Sequence, residues 1–346
     1  MSRTCGTTHE GIDPLNRLLA VLLLSDLTTL RLGGPAGTFV EATTDDALIA
    51  AVRDAPDDDL LLVAGGSNLV VGDAGFPGTV VKIASRGIQR EGDTLHVAAG
   101  EGWDDVVRHA IAHGLGGIEC LSGIPGSVGA TPIQNVGAYG QEVSDTIVNV
   151  RVYDRRGDRV VDLTPAQCGF AYRDSMFKRS PGSFVVLRVS FALTPSETAL
   201  PIRYGELARA TPDAPTLQQV RDAVLALRRG KGMVLDPRDH DTWSAGSFFT
   251  NPILDADAVP DGAPAFPQPD GRVKTSAAWL IDHAGFAKGH RPPGSNIAIS
   301  TKHVLALTNR GGGTTAELLT LADEVTEGVL RTYGIRLVPE PVLVRT

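Results

Sequence analysis

The feature that most restricts how this chain can fold is the stretch 123–140, which holds five glycines and two prolines in eighteen residues. Each glycine costs roughly 0.5–1 kcal/mol in regular secondary structure, and proline interrupts helices and central strands. Such density is typical of backbone that passes close to a ligand and directs N–H groups at it. The usual ligand of this kind is a phosphate or pyrophosphate.

A second glycine turn comes earlier in the chain. The apolar run Leu60–Ala64, of strand length, leads directly into Gly65-Gly-Ser-Asn68. Two glycine turns beside apolar strands predict one cofactor that is held from two sides. No GxGxxG pattern occurs, so the chain lacks the Rossmann fingerprint of nicotinamide-binding folds.

Length and charge limit the classes of protein to consider. The chain has 346 residues, enough for two or three domains, and 42% of them are hydrophobic. The net charge of −8 argues against a nucleic-acid partner, which requires a basic face. A local basic pocket for a phosphorylated small molecule is compatible with this charge.

The cysteines and the N-terminus predict a cytoplasmic protein with no membrane insertion. Cys5, Cys120 and Cys168 show no CxxC spacing and leave one cysteine unpaired, which favours free thiols over disulfides or zinc. The apolar run 18–24 follows acidic residues, precedes no signal-peptide cleavage site and is too short to span a bilayer. We expect a short buried helix there.

Apolar periodicity predicts an α+β chain. It indicates a helix over 103–113, a hairpin of 148–153 with 159–163, and a C-terminal helix that begins with the capping box of Thr314 and Glu317. The expected organisation is an N-terminal helical segment (1–22), a strand-rich unit (23–195, split near 84), a loop and linker helix (196–229) and a second unit (230–346).

Three polar residues stand out as candidates for chemistry. Arg173 lies in the charged segment 172–178 and has the planar fork that binds carboxylates. Ser247 lies beside glycine and two phenylalanines, where a hydroxyl in a tight pocket could give a proton. Glu340 lies between two prolines in an apolar strand, and must find a donor or be protonated. An exposed loop, a capping serine and an edge glutamate are the structural alternatives.

Two other patterns offer alternative sites. Ser175-Met-Phe-Lys178 fits the S-x-x-K pattern of serine acyl enzymes, but S-D-N is absent and the nearest match to K-T-G is Lys274-Thr-Ser276. His109 and His113 have the i, i+4 spacing of a metal pair, yet HExxH is absent and no third ligand is near in sequence. We expect no metal.

Taken in order, several motifs resemble one family, the flavin-dependent UDP-N-acetylenolpyruvoylglucosamine reductases of peptidoglycan synthesis. The resemblance runs from about Ser25 to Val344 and rests on these segments: 28–36, 64–68, 123–140, 172–178, 246–252, Trp279-Leu-Ile-Asp282 and Pro339-Glu340.

The resemblance implies a vanillyl-alcohol-oxidase-type (PCMH) FAD-binding domain of two α+β subdomains, followed by a C-terminal α+β substrate-binding domain. FAD would be bound without a covalent bond, with its pyrophosphate held by backbone N–H groups of the two glycine turns. The residues expected near FAD are Arg31, Gly65, Gly66, Ser67, Asn68, Leu69, Gly123, Ile124, Pro125, Gly126, Ser127, Gly129, Gln134 and Asn135.

The family reaction reduces the enolpyruvyl ether of a UDP-sugar, with NADPH as the hydride donor, to give UDP-N-acetylmuramate. Arg173 matches the arginine that would clamp the substrate carboxylate, Glu340 the glutamate that would polarise it, and Ser247 the serine that would protonate the adjacent carbon. The resemblance further implies a cytoplasmic enzyme, expected to be a monomer, with roles in cell wall biogenesis, cell shape and cell division.

Substrate contacts implied by the resemblance are Tyr204, Lys231, Asn251 and His303. Tyr204 indicates the subgroup in which a tyrosine loop closes over the substrate. His303 stands where some members have glutamine, and residues 236–243 are longer than the compact form of this connection. The alternative of a related FAD-dependent alcohol oxidase, which often tethers flavin through histidine, finds no histidine in either glycine turn.

Overall fold

A computed structural model describes residues 22–346 of the chain. The predicted N-terminal helix lies outside the described residues except at its end, where Leu24–Asp26 forms a single 3-10 turn. None of the helices in the described part of the chain combines the length and apolarity needed to cross a membrane.

The first unit is built on a parallel three-stranded sheet in the order β1-β4-β2. Thr44 caps the following helix by accepting a hydrogen bond from the Ala47 N–H, which fixes where α1 begins. The elements are β1 (Ala36–Ala42), α1 (Asp45–Asp54), β2 (Leu60–Val63), β3 (Leu69–Val71) and β4 (Phe76–Ile83).

The second unit is built on an antiparallel five-stranded sheet in the order β11-β10-β12-β6-β5. Its elements are β5 (Ile88–Glu91), β6 (Thr94–Ala98), α2 (Trp103–Ala112), β7 (Leu115–Gly116), β8 (Gly137–Ala138), β9 (Gln141–Glu142), β10 (Ile147–Asp154), β11 (Arg159–Leu163), α3 (Pro165–Cys168), α4 (Met176–Arg179), β12 (Phe184–Ala192) and β13 (Thr194–Pro195). The predicted helix at 103–113 and the predicted hairpin are confirmed, because apolar periodicity reports which face meets the core.

The second unit leads through α5 (Gly205–Ala210) and α6 (Leu217–Gly230) into the C-terminal part. The elements there are β14 (Ile253–Leu254), β15 (Ala265–Pro267), β16 (Val273–Thr275), α7 (Ala277–His283), β17 (Ile297–Ile299), β18 (Leu307–Asn309), α8 (Thr315–Tyr333) and β19 (Val342–Val344). The capping box of Thr314 and Glu317 is present at the start of α8, as predicted.

The C-terminal part and the first unit share apolar packing. Leu30, Leu32 and Val70 belong to the same buried cluster as Phe248 and the inner face of α8. The chain end also returns to the first unit, because β19 pairs in parallel with β3. The first sheet ends at Ile83 and the second begins at Ile88, near the predicted division at 84. Because the first unit and the C-terminal part share one buried cluster, the domain boundaries stay a prediction.

The two histidines at the end of α2 contact each other and the helix backbone. The His109 and His113 rings lie with their centroids 4.2 Å apart, and His113 Nδ1 lies 2.8 Å from the His109 carbonyl oxygen. Across residues 22–346, no group of three or more His, Cys, Asp or Glu side chains is arranged to hold a metal ion.

Helix α8 contains a glycine that packs flat against an aromatic ring. A Cβ atom on Gly328 would lie 2.5 Å from Phe286 Cζ. Gly328→Ala should therefore destabilise the protein by about 1–2 kcal/mol, because overpacking outweighs the roughly 1 kcal/mol that alanine gains in a helix. Urea denaturation of the two proteins measures this difference.

Gly230→Ala is the matched control, since Gly230 ends α6 and has open space where its Cβ would lie. It should leave the free energy of unfolding unchanged or raise it. A second variant, Gly328→Ala with Phe286→Leu, should recover part of the loss. If Gly328→Ala alone is as stable as the parent, the ring contact is not restrictive.

Candidate functional site

The two glycine turns lie directly against each other. A Cβ atom on Gly65 would be 2.5 Å from Gly126 Cα, so only glycine lets the two main chains approach this closely. Ser67 Oγ donates a hydrogen bond of 3.1 Å to the Pro125 carbonyl oxygen. Gly66 has φ +59°, and a side chain there would collide with the Leu27 carbonyl oxygen. The turns thus form one continuous wall.

This wall presents donors that nothing in the described chain accepts. The main-chain N–H groups of 65–68, Gly126 and Ser127 donate no hydrogen bond to any part of residues 22–346. Ser127 Oγ is buried and also lacks a partner there, as does Arg228 Nε. A buried donor without an acceptor costs about 1–3 kcal/mol, so Ser127 Oγ and Arg228 Nε indicate an acceptor from outside the chain, and the unpaired main-chain N–H groups beside them are open to the same ligand.

The donors face a cleft of about 350 Å³. Cleft-lining residues that the sequence analysis expected near the cofactor are Gly65, Gly66, Ser67, Asn68, Leu69, Ile124, Pro125, Gly126, Ser127, Gly129 and Gln134. Apolar side chains such as Leu62 and Val186 complete the lining. The cleft combines closely packed glycines, unpaired main-chain N–H groups and a hydroxyl without a partner with an apolar surface. These features fit a dinucleotide that has a pyrophosphate and a flat ring system.

Three residues expected to contact the cofactor lie off this cleft wall. The Gly123 N–H donates a 2.6 Å hydrogen bond to Asp104 Oδ1, so it is not free for a phosphate. The Asn135 side chain is used within the protein, where its Nδ2 donates to Glu142 Oε2 at 2.7 Å. Arg31 places its Cζ 5.9 Å from the Trp243 ring centroid. Sequence position alone does not distinguish residues on the wall from those behind it.

Asp104 connects the glycine turn to the linker helix. It forms a bidentate ion pair with Arg221 of α6, at 2.6 and 2.7 Å, and its carboxylate also accepts the hydrogen bond from the Gly123 N–H. Burial acts to raise the pKa of Asp104, but the bonds from Arg221 and Gly123 outweigh burial and lower that pKa. Neither charged residue stands out in the sequence, because each lies on an ordinary amphipathic helix.

Arg173 and Glu340 meet at the cleft. Arg173 has φ +52°, and its Nη1 and Nη2 donate to the carbonyl oxygens of Asn135 (3.2 Å) and Gly137 (2.5 Å). Its Nε lies 3.5 Å from Glu340 Oε1. The guanidinium is therefore fixed by main-chain oxygens on one side and faces a carboxyl on the other.

Glu340 is a largely buried residue whose backbone is held by main-chain contacts. Its N–H donates to the Phe248 carbonyl oxygen at 2.8 Å, and its own carbonyl oxygen accepts from Asn68 Nδ2 at 3.4 Å. Burial raises the pKa of Glu340, with the nearby charges of Arg173 and Lys178 opposing it. A carboxyl in this environment takes up a proton more readily than an exposed glutamate.

Ser247 lies on the same cleft wall as Arg173 and Glu340. It follows Gly246, which has φ +75°, and precedes Phe248 and Phe249, whose buried rings pack at 73°. The Phe248 N–H donates to the Leu305 carbonyl oxygen at 2.7 Å, which ties the segment to the C-terminal core. The three candidates for chemistry, separated by up to 167 positions in sequence, are brought together by the fold.

A neighbouring group contains two residues that the sequence analysis did not assign. Lys274 Nζ lies 4.2 Å from the Tyr172 ring centroid, and burial lowers the pKa of Lys274. Asn251 Oδ1 accepts from the Ala277 N–H at 2.9 Å, and the Asn251 side chain also bonds to Tyr172. Tyr172 was visible beside Arg173, whereas Lys274 carried no sequence signal beyond its partial match to K-T-G.

The remaining expected substrate contacts form a second group. Lys231 Nζ is 2.7 Å from Glu206 Oε2 and 5.9 Å from the Tyr139 ring centroid. Tyr139 and Tyr204 pack edge to face with their centroids 5.4 Å apart. Burial, together with the charges of Lys231 and Lys288, lowers the pKa of His303 to about 4. The group holds a cation, two phenolic rings and a neutral imidazole.

The serine acyl alternative is inconsistent with the structure. Ser175 is fully buried, and its Oγ donates to the Ile133 carbonyl oxygen at 2.7 Å. It caps α4 by accepting from the Lys178 N–H. The Lys178 ammonium binds the Arg173 carbonyl oxygen at 2.9 Å. No histidine is among the described residues that line the cleft, which also disfavours a histidine-tethered flavin.

The segment 236–243, whose role the sequence left open, packs against the C-terminal part. Asp241 is buried, and its carboxylate accepts from Thr301 N at 2.8 Å and from Arg310 Nη1 at 2.7 Å. Asp239 Oδ2 lies 2.5 Å from Lys302 Nζ. The additional residues therefore attach this connection to the loops that follow β17 and β18.

His303 makes a testable contribution to stability. Its folded-state pKa is lowered, so its stabilising effect is present above the ordinary pKa of about 6.5 and is lost as pH falls towards 4. Between pH 7 and pH 5 the parent should lose roughly 2 kcal/mol relative to His303→Gln. Urea denaturation at both pH values measures this. His113→Gln, which replaces an exposed histidine on α2, is the control, and an equal pH response in His303→Gln and the parent would contradict the assignment.

Two family models match the chain. One is described as a FAD binding domain and matches residues 36–163. The other is described as UDP-N-acetylenolpyruvoylglucosamine reductase, C-terminal domain, and matches residues 236–344. The first contains the glycine turn at 65–68 and the stretch 123–140, and the second contains Ser247 and Glu340.

Full-length relatives extend the match. UDP-N-acetylenolpyruvoylglucosamine reductases of Streptomyces coelicolor and Cutibacterium acnes are 57% and 52% identical, covering 97% and 99% of this chain and 94% and 95% of theirs. The solved structure of the reductase from Thermus caldophilus superimposes with a TM-score of 0.67 at 28% identity, over 93% of this chain and 97% of that one. The chain therefore belongs to the UDP-N-acetylenolpyruvoylglucosamine reductase family.

Proposed function

We propose that this chain reduces the enolpyruvyl ether of UDP-N-acetylglucosamine to the lactyl ether, which gives UDP-N-acetylmuramate for peptidoglycan synthesis. The observation that carries the proposal is that Arg173, Glu340 and Ser247 line the cleft whose glycine turns fit FAD. The chain is a flavin-dependent oxidoreductase by family, and these three side chains give the cleft its specific chemistry.

Bound FAD would supply the two-electron hydride chemistry that connects NADPH to the methylene carbon of the enolpyruvyl group. The net reaction converts NADPH and one proton to NADP⁺ and saturates the carbon–carbon double bond. The protein must therefore bind the carboxylate, hold the charge that develops towards it, and deliver one proton to the neighbouring carbon.

Arg173 and Glu340 are proposed to bind the substrate carboxylate from two sides. Two of the five N–H groups of Arg173 are held by main-chain carbonyl oxygens, which fixes the fork and leaves other N–H groups for the substrate. Glu340, with its raised pKa, can carry a proton and donate a hydrogen bond to the same carboxylate. Because both groups are fixed before the reaction, they stabilise an enolate-like charge without rearranging.

Ser247 is proposed as the proton donor. Its hydroxyl lines the cleft, and its backbone is held by a glycine turn on one side and by buried phenylalanines on the other. A serine hydroxyl in such a site can act as a general acid, since the resulting alkoxide can recover a proton from solvent after turnover.

Tyr204, Lys231, Asn251 and His303 are proposed to bind the UDP-sugar. Lys231 supplies a cation for a diphosphate, and its ion pair with Glu206 keeps it in place in the free protein. Tyr204 is 44% exposed on the loop before α5, so its ring is available to close over a ligand. Neutral His303 can accept or donate a hydrogen bond without adding charge.

We also propose that the enzyme is a cytoplasmic monomer. Cys120 and Cys168 are free and buried, as in reducing compartments. All of the groups assigned to the site come from one chain, so a partner subunit is not needed to complete it. Light scattering of the purified protein measures its mass in solution.

The proposed function is tested by an absorption spectrum of the purified protein. It should show flavin, bleach on addition of NADPH without oxygen, and recover its colour when enolpyruvyl UDP-N-acetylglucosamine is added. Acid precipitation should release the flavin, whereas a histidine-tethered oxidase would retain it. A protein that neither carries nor takes up flavin contradicts the proposal.

Ser247→Ala should retain its flavin spectrum and its reduction by NADPH. Reoxidation by the enolpyruvyl substrate should slow by roughly 10²–10⁴-fold, the usual contribution of a general acid. Stopped-flow absorbance separates the two half-reactions. Ser196→Ala, on a loop after β13, is the control and should behave as the parent. Unchanged reoxidation in Ser247→Ala would remove the serine from its role.

Gly65→Ala should weaken FAD binding, because the new Cβ separates the two glycine turns. A single strained approach of this kind costs about 1–3 kcal/mol, which corresponds to a roughly 5- to 150-fold rise in the dissociation constant. Titration of the flavin-free protein with FAD measures it. Gly230→Ala again serves as the control, and full flavin occupancy with unchanged affinity in Gly65→Ala would show that the close approach is not required.

A further inference from the structure

We propose that Asn135 is a positioning residue that holds Arg173 in the geometry needed to bind the substrate carboxylate. The proposal deepens the function proposed above and rests on it. Asn135 was expected beside the cofactor, but the structure places it behind the cleft wall, where it contacts the segment that carries Arg173.

The backbone of Asn135 is in an uncommon conformation. Its φ is +44°, in the left-handed region, where asparagine is better tolerated than most residues other than glycine. Only 1% of its surface is exposed. A non-glycine residue persists in this region when its surroundings determine it, and such positions concentrate at functional sites.

The side chain of Asn135 makes three hydrogen bonds that account for this conformation. Its Nδ2 donates to Glu142 Oε2 at 2.7 Å and to the Ala171 carbonyl oxygen at 3.1 Å. Its Oδ1 accepts from the Ser144 N–H at 3.2 Å. The amide is therefore attached both to the hairpin of β8 and β9 and to the turn that presents Arg173.

Asn135 contacts both the backbone turn that carries Arg173 and the guanidinium of Arg173. The Ala171 carbonyl oxygen, which Asn135 binds, opens the turn 171–174, in which Arg173 has φ +52°. The main-chain carbonyl oxygen of Asn135 accepts from Arg173 Nη1 at 3.2 Å. The carbonyl oxygen of Gly137, two residues further on, accepts from Nη2. One residue thus links the backbone of the arginine to its guanidinium.

The substitution that tests this role is Asn135→Asp, which keeps the size and the tolerance of positive φ but replaces the donating amide by a carboxylate. The new carboxylate would be repelled by the carboxylate of Glu142. It also has no N–H group to donate, so the bond to the Ala171 carbonyl oxygen would be lost. Flavin content and reduction by NADPH should stay within about threefold of the parent. Reoxidation by the enolpyruvyl substrate should slow by roughly 10- to 100-fold, as expected when a preorganised group is displaced by about 1 Å.

A pH profile and a double-variant cycle separate positioning from a general loss of structure. Glu340 faces Arg173, Lys178 and the Tyr172 hydroxyl, and the charge of Arg173 lowers the pKa of Glu340. If Arg173 is displaced, this pKa rises, so the part of the pH profile of reoxidation that reports Glu340 should move to higher pH. In an Arg173→Lys background, Asn135→Asp should add little further loss, because it acts through the arginine. Additive losses, or equal losses in both half-reactions, would overturn the proposal.

Asn149→Asp is the matched control, because it makes the same change on β10 outside the site, and it should leave both half-reactions unchanged. If Asn135→Asp does not fold, Glu142→Gln tests the same contact by removing the charge that Asn135 binds, with an expected several-fold loss in reoxidation only. A parent protein that shows no flavin chemistry refutes the proposed function itself. A working parent with normal reoxidation in these variants refutes only the positioning role.

Discussion

The main-chain contact between Gly65 and Gly126 is the constraint on which the cofactor site depends. A Cβ at position 65 would lie 2.5 Å from the opposite Cα, so the two turns can meet only without side chains. Their meeting leaves the N–H groups of 65–68 without acceptors in the described chain. Because the Ser127 hydroxyl beside them is buried without an acceptor, and an unpaired buried donor is costly, the joined turns are suited to an anionic ligand.

The electrostatics of the cleft follow from where charges are buried. Arg173 is fixed by two carbonyl oxygens and faces Glu340, whose pKa burial raises despite the nearby guanidinium. A fully exposed pair of this kind would contribute little to binding or catalysis, since water screens it. Within the cleft the two groups remain close and oriented, which suits them to bind one carboxylate between them.

The chain end completes the site. Strand β19 pairs with β3, and Glu340, two residues before it, is bonded through its main chain to Phe248. Asn68 of the first glycine turn donates to the Glu340 carbonyl oxygen. Hydrogen bonds therefore connect the cofactor turn, the serine segment and the glutamate to one another.

The local elements and the candidate chemistry could be predicted from residue patterns: glycine turns beside strands, the apolar stripe of α2, the capping box of α8, and Arg173, Ser247 and Glu340 as reactive candidates. These follow from periodicity, turn chemistry and residue type, which are local properties. The positions of Gly123 and Asn135 behind the cleft and of Ser175 as a buried cap became visible from the packing of distant segments, as did the presence of Asp104, Glu206 and Lys274 around the site. Those assignments depend on which distant segments pack together, and neither spacing nor composition records a contact between residues far apart in the chain.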